Sequence, residues 1–455
     1  SKIENFRIEK VTASLFMIFF SNGFNTSLTI KFILYLNFIN TIVSMKRILL
    51  VAFLFCLPKL MAQAWPAGTW SSATNLTSVF DVNGVTELSG LHFNATNNRL
   101  YAVQNDGRVR VLSWNPTTNT FTSIANKAIN GGPEGITQAN LFANEFYTID
   151  ENTYEIKRYT HTANFSTVTE FKHWNLLNAP SPMQDTGNTG PEGIVFIPDS
   201  FLSAIGFISQ QTGQLYTSVK GLGGLFFVAH QDEGYVWVFD VNPNTNNDFA
   251  FVGKYQTNHV ESCDLAFDRS TGLLYMLHNI SGNNRLEVTD LTTTLNGTTR
   301  KFSVLKDYLI TNPSGGNDNI EGFALTPKCP ETGTRGAWLC RDVSNNEDQA
   351  IQEDALRWFT SFVADGTCAP LSNNAFEAEK IINLYPNPAA SFVTISGNLM
   401  VNATVKIFNN LGQLMLRKEN QTPTLTIDVA SFKTGIYFVE VNQNGHSQTL
   451  KFSKQ

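Results

Sequence analysis

The chain has 455 residues, 42% hydrophobic and 12% aromatic, enough to bury a large core and to form more than one domain. Charged residues make up only 15% and the net charge is −6, which excludes a polyanion-binding surface spread over the whole chain, and with it nucleic acid as a partner. In chain order, residues 1–44 begin without Met and are crowded with Phe, Ile, Asn and Lys; they read as translated sequence upstream of a start at Met45. The rival reading is a membrane helix around Leu28–Val43, but Lys31, Asn37 and Asn40 interrupt it. Met45-Lys46-Arg47 opens a charged segment, Ile48–Leu57 an apolar one, and Ala62-Gln63-Ala64 offers the small residues of a signal-peptidase site. Residues 45–64 therefore read as a signal peptide, and the mature chain starts near Trp65.

From there to residue 370 the chain is organised around one repeated stretch. Gly190-Pro191-Glu192-Gly193-Ile194 has a near copy in Gly132-Pro133-Glu134-Gly135-Ile136 and a third in Asn319-Ile320-Glu321-Gly322-Phe323. Glu87-Leu88-Ser89-Gly90-Leu91 and Glu261-Ser262-Cys263-Asp264-Leu265 are looser versions. Long, fairly even spacing filled with short strand-like runs is the signature of a β-propeller. Five blades is the simplest count, with six possible if an irregular stretch hides another. Each blade would contribute one Glu at the same place, and radial symmetry would gather Glu87, Glu134, Glu192, Glu261 and Glu321 at one mouth of the central channel.

The blades parse as β-rich runs separated by Gly, Asn and Asp turns. The first offers 87–93, 99–103 and 109–114; the second 134–137, 145–149, 154–159 and 167–171. The third has 192–197, 224–229, 235–240 and 249–255, with a long insertion at Pro198–Gly223. The fourth reads 261–267, 273–278, 285–290 and 302–308. The fifth gives 321–326, 337–341 and 355–363 and lacks an outer strand, so the spare segment Gly68–Val82 is expected to complete it and remove an exposed edge. Of the cysteines after Trp65, Cys263, Cys329, Cys340 and Cys368, two disulfides are possible in three pairings. Cys329 and Cys340 bracket a Gly-containing turn and suit a hairpin staple, leaving Cys263 with Cys368. The spacing does not suit structural zinc.

Beyond a polar linker at 371–383, Leu384-Tyr385-Pro386-Asn387-Pro388 opens a smaller unit with alternating strands at Phe392–Ile395, Thr404–Phe408 and Ile436–Val441. The Tyr-Pro-Asn-Pro opening, the Asn409-Asn410-Leu411-Gly412-Gln413 turn, the Gly435-Ile436-Tyr437-Phe438-Val439 strand and Lys451 resemble the C-terminal sorting domain read by the type IX secretion system. That resemblance implies an immunoglobulin-like β-sandwich over 384–455, the secretion machinery as partner, and passage through the periplasm to the outer-membrane surface or the medium. Leu88-Ser89-Gly90-Leu91, Asn98–Val103, the two Pro-Glu-Gly-Ile copies and Tyr147–Glu151 are similar to the SdiA-regulated propeller family and the related phytase-like esterase family. This second resemblance implies a propeller fold and a bound calcium ion.

Because the second strand of a blade returns antiparallel to the first, its end lies beside the Glu ring. That adds Asp150 and Glu151, His230, His278 and Arg341 to the candidate site. Like charges ~4 Å apart repel by roughly 4 kcal/mol at an effective dielectric near 20, so converging carboxylates require protonation, a cationic partner or a metal. Hard oxygen ligands suit calcium, or magnesium. The competing reading is a Glu that clasps backbone N–H groups of the neighbouring blade. Two functions stay open. One is a secreted or cell-surface module with a structural metal and no assigned activity. The other is a metal-dependent hydrolase of phosphate or carboxylate esters, with His230, His278 or Arg341 as catalytic candidates. No Gly-x-Ser-x-Gly elbow or phosphate loop is present.

Overall fold

A computed structural model describes residues 63–313, 315, 317–331, 333–368, 382–397, 400, 403–443 and 446–455. The segment 1–44, the expected signal peptide up to residue 62 and the expected linker residues 371–381 lie outside the described residues. The fold is all-β.

Five four-stranded antiparallel ladders account for residues 74–359 among those described; three are separate sheets, and the third and fourth are fused into one nine-stranded sheet that also takes in Gln63–Ala64, parallel to Tyr308 and Leu309. In order, the first is Leu88–Asn94, Arg99–Gln104, Arg108–Asn115 and Thr120–Ala128, whose last strand is polar and was not expected from its pattern. The second is Pro133–Thr137, Glu145–Asp150, Glu155–His161 and Val168–Asn175. The third is Pro191–Pro198, Gly224–His230, Tyr235–Val241 and Phe249–Gln256, and its insertion carries a short helix at Asp199–Ile205. The fourth is Ser262–Asp268, Leu273–His278, Arg285–Asn296 and Thr299–Leu309. The fifth is Ile320–Leu325, Ala337–Arg341 and Leu356–Phe359, completed by Thr74–Asn75 from the start of the chain, antiparallel to Leu356–Phe359. A short parallel pairing of Tyr255 and Gln256 with Arg300 and Lys301 joins the third and fourth sheets at their outer edges.

Strand periodicity explains how the sheets close on one another. Successive side chains of a strand point to opposite faces, and both faces here are covered, so the middles of the second strands are mostly apolar. Tyr147 and Ile149 pack with Phe226 and Val228 between the second and third sheets. Phe227 and Ala229 turn the other way, to Leu274 and Met276 of the fourth. Tyr275 and Leu277 meet Ala337 and Leu339 of the fifth, where Trp65 and Trp70 also lie buried. Trp338 and Cys340 meet Leu100 and Ala102 of the first, and Tyr101 and Val103 meet Phe146 of the second. The first strands neighbour one another in the same cyclic order, so the five enclose an axis.

Cys329 bonds Cys368, not Cys340. The hairpin staple fails because the Cys340 side chain turns inward, where its thiol donates to the Ser89 carbonyl, and Cys263 is likewise a buried free thiol. Residues 382–455 form two further sheets over a single apolar cluster that includes Val393, Ile395, Val405, Ile407, Val439 and Val441. One sheet is Ile382–Tyr385, Phe392–Gly397 and Thr424–Asp428; the other is Ala403–Asn409, Leu414–Asn420, Gly435–Gln443 and His446–Lys454.

Candidate functional site

Each first strand begins with a β-bulge, and the bulge decides which side chain enters the enclosed space. Pro133 pairs with Asp150 and Gly135 with Ile149, which leaves Glu134 as the extra residue. Ile320 pairs with Arg341 and Gly322 with Cys340, leaving Glu321; Ser262 pairs with His278 and Asp264 with Leu277, leaving Cys263. The same interruption lies at Glu192-Gly193 and Ser89-Gly90. Bulges re-aim side chains in this way at many binding sites. The ring position is therefore Ser89, Glu134, Glu192, Cys263 and Glu321. Glu87 and Glu261 stand two residues earlier, so the expected ring of five equivalent glutamates is a ring of three.

The following glycine anchors this register. A Cβ on Gly135 would lie 2.7 Å from the Glu192 carbonyl oxygen, and one on Gly193 would lie 2.5 Å from the Asp264 Cα. Each first strand thus packs directly against the next. Asp264 occupies the glycine position of the fourth sheet. Its carboxylate accepts from the backbone N–H of Phe323 at 2.8 Å and Leu91 at 3.2 Å, in the fifth and first sheets, and from its own neighbour Leu265 at 2.8 Å. The side chain thus links the first strands of the fourth, fifth and first sheets.

Glu134, Glu192 and Glu321 share the mouth with Glu151 and Asp342, the residues just past the ends of the second strands. Burial pushes Glu134 up to about 8, helped by the charges of Glu151 and Asp342 and opposed by the Ser89 hydroxyl. Glu192 and Glu321 are pushed well above the carboxylate range, first by burial and then by their acidic neighbours. Asp342 rises to about 6, through burial and the charge of Glu87. Glu134 Oε1 and Asp342 Oδ1 are buried without hydrogen-bond partners. Asn319 Nδ2 donates to Asp342 Oδ2 at 3.2 Å, and Asn279 Nδ2 lies 3.5 Å from Glu321 Oε1. Among the described residues, no three acidic, histidine or cysteine side chains are already gathered at metal-coordinating geometry.

The other candidates are engaged elsewhere. Asp150 Oδ2 accepts from Lys157 Nζ at 2.7 Å and the Gly132 N–H at 3.0 Å, so its charge is matched locally. Glu151 Oε1 accepts from the Gly190 N–H at 3.3 Å, a contact to the third sheet. The Arg341 guanidinium binds the Asp354 carbonyl and carboxylate and the Asn317 carbonyl, and lies 5.6 Å over Trp70. Its carboxylate partner is Asp354, at 3.1 Å. His230 is buried against Trp237 and Tyr154, and burial lowers it to about 4. His278 lies inside the fourth sheet, its Nδ1 3.2 Å from Ser262 Oγ and its Nε2 3.7 Å from Glu287. Glu87 and Glu261 adopt a left-handed φ of 55° and join adjacent sheets through backbone: Glu87 N–H donates to Val343, Glu261 N–H to Gln231. These two carry the clasp expected as the competing reading, but through the main chain.

Sequence reasoning did not assign Ser89 or Asp264 a role at the mouth. Aligning the first repeat on Gly90 would have found Ser89, whereas Asp264 stands in the one repeat that has no glycine to align on. The architecture defines an all-β protein with an acidic mouth at the start of its first strands. Residues 383–455 match the secretion system C-terminal sorting domain, so the chain is exported to the cell surface or secreted, and its tail engages the type IX machinery. Among solved structures, the chain is similar to PorZ, described as an essential bacterial surface component of the type-IX secretion system of Porphyromonas gingivalis. Identity there is 13% and the TM-score 0.26, over 81% of this chain and 45% of that one, so less than half of PorZ is spanned. It is also similar to a chain of a nidogen/laminin complex, at 14% identity and a TM-score of 0.31, over 60% of this chain and 84% of that one. No curated protein matches.

Proposed function

We propose that residues 65–368 form a five-bladed β-propeller of the SdiA-regulated type, displayed on the cell surface or released, whose acidic mouth binds a divalent cation, calcium before magnesium. The observation that carries this is the convergence of Glu134, Glu192, Glu321, Glu151 and Asp342, with Glu134 Oε1 and Asp342 Oδ1 buried and unpartnered. All-oxygen donors of this kind suit calcium. A cation would draw these carboxylates together and offset their mutual repulsion. The test is thermal melting of the mature protein with calcium or with chelator. A ligand bound only by the folded state stabilises by about 2.7 kcal/mol at a hundredfold excess over Kd. Calcium should raise the melting temperature, and Glu134→Gln should remove most of the rise. Identical wild-type curves would refute the metal reading. Export is tested separately: deletion from Leu384 onward should leave a folded propeller in the periplasm.

A second reading, a metal-dependent esterase resembling the phytase-like family, is favoured by His259. Its Nε2 is held 3.1 Å from Asp307 Oδ2, and the ring remains 21% exposed. An imidazole oriented by a carboxylate is the arrangement of a general base. Turnover of phosphomonoester, phosphodiester or carboxylester substrates that disappears in His259→Gln would establish it.

A further inference from the structure

The four-stranded sheet of residues 403–454 buries one face and leaves the other bare. Along Gly435–Gln443, Tyr437, Val439 and Val441 enter the core shared with the smaller sheet, so Ile436, Phe438 and Glu440 point outward. The register carries the outward positions across the sheet: Leu414 pairs with Phe408, Phe408 with Phe438, and Phe438 with Lys451. Leu414 is 53% exposed, Ile436 48% and Phe438 38%. Scattered exposed apolar side chains need no explanation, but a row across three adjacent strands marks an interaction surface. We propose that this face is the surface by which the export machinery holds the chain, through a partner surface that is apolar at its centre and acidic at its border.

The occupant follows from where the face lies and from its charge. Residues 383–455 are the sorting domain that the machinery engages, and the proposal rests on that role. The inward face of the sheet is taken up by the domain's own core, so recognition falls to an outward surface. One edge is closed as well: Asn387 Nδ2 donates to the Lys451 carbonyl at 3.2 Å, its Oδ1 accepts from the Ser453 N–H at 2.9 Å, and the Ala389 N–H donates to the Ser453 carbonyl at 2.8 Å. A partner therefore meets the face and does not extend the last strand. The border of the row is basic. Lys406 and Arg417 pair across neighbouring strands beside it, and Lys451 ends it. Glu440 is matched by Lys406 at 3.1 Å and Glu419 by Arg417 at 3.2 Å, whereas Lys451 has no carboxylate partner among the described residues. Residues 383–455 hold six lysines and arginines against three acids, in a chain whose net charge is −6. An apolar centre with a charged rim is the anatomy of a protein interface. A second copy of the chain would set one basic border against another, which disfavours self-association through this face.

The test is the fraction of full-length chain that reaches the cell surface and medium. Phe408→Thr, Leu414→Thr and Phe438→Thr are combined, because threonine suits an exposed strand position and spares the core. Export should fall at least tenfold, with protease-resistant protein left in the periplasm. Phe438→Lys alone should act in the same direction, and it decides the matter if the triple variant does not fold. Phe392→Thr, on the smaller sheet and 49% exposed in the wild type, should be exported normally. Wild-type export of both the triple variant and Phe438→Lys, while deletion from Leu384 onward still blocks export, would overturn the assignment of this face and leave the tail's role intact. An equal loss in Phe392→Thr would overturn it too, since export would then follow exposed apolar area in general. A wild-type dimer that the triple variant loses, with export unchanged, would give the face to a second copy. Export of the deletion variant would instead overturn the tail's role, and the proposal with it.

Discussion

At the start of the first strands the inward residues are Ser89, Glu134, Glu192, Cys263 and Glu321; three residues later they are His92, Thr137, Val195, Ala266 and Ala324. The backbone is the same at both levels, and about 10 Å separates them at the usual rise of a strand. Yet the first level gathers carboxyls that burial holds partly protonated, while the second gathers apolar groups around one arginine. The difference teaches that the repeat specifies the bulge and the glycine contact, whereas the chemistry at each level is free to vary. Asp264 stands between the two levels in the fourth sheet. It stands where other sheets have glycine, and its carboxylate ties together backbone from the fourth, fifth and first sheets.

The largest effect is therefore expected from Asp264→Ala. It leaves the N–H groups of Leu91, Phe323 and Leu265 without their acceptor, at about 1–3 kcal/mol for each buried donor left unmade. A loss of about 3–5 kcal/mol is expected in urea unfolding, with a weakened response to calcium. A variant of unchanged stability would mean that these three hydrogen bonds do not hold the first strands together.

Next in size is a pH effect confined to the mouth. Glu134, Glu192 and Glu321 have folded-state values above those of an unfolded chain, so the folded state holds more protons between about pH 4.5 and 8. Stability contributed by their protonated forms is present at the acidic end and is lost as pH rises through this window. Each tenfold change in proton affinity corresponds to about 1.4 kcal/mol. In chelator, Glu192→Gln should match the wild type near pH 4.5 and exceed it by about 1–3 kcal/mol near pH 8. Calcium should reverse that order by stabilising the wild type. Parallel stability curves for the two proteins would show that the carboxyls do not repel one another.

The strand framework was legible in the sequence because inner strands buried on both faces are continuous apolar runs, such as Gly224–His230 and Leu273–His278. Closure by the segment around Thr74 was legible from a missing outer strand. Thr120–Ala128 was not, because an outer strand half in water carries little alternation. The ring was legible only in part. A glutamate draws attention as a charge, whereas the register is held by Gly90, Gly135, Gly193 and Gly322. Alignment on charge shifted the first and fourth repeats by two residues, and a two-residue shift in a strand preserves the face, so nothing in the pattern exposed it. Which way Arg341 and His278 turn depends on partners such as Asp354 and Glu287 that are distant or unremarkable in sequence.

The smallest effect tests that shift directly. If Glu261 belonged to the ring, Glu261→Gln would alter calcium binding as Glu134→Gln does. In the structure its contribution is main-chain: its N–H donates to the Gln231 carbonyl and its own carbonyl accepts from the Asn279 N–H, at a φ of 55°. Glutamine keeps all of this and changes only the charge of a side chain placed two residues before the ring, so stability should move by no more than about 0.5 kcal/mol. The calcium-induced rise in melting temperature should be that of the wild type. Glu261→Gly separates backbone from side chain further: it relieves the left-handed residue and should match or slightly exceed the wild type, by at most about 1 kcal/mol. A lost calcium response in Glu261→Gln would place this carboxylate back among the ligands. The ring would then be defined by charge, with the bulge register demoted to packing.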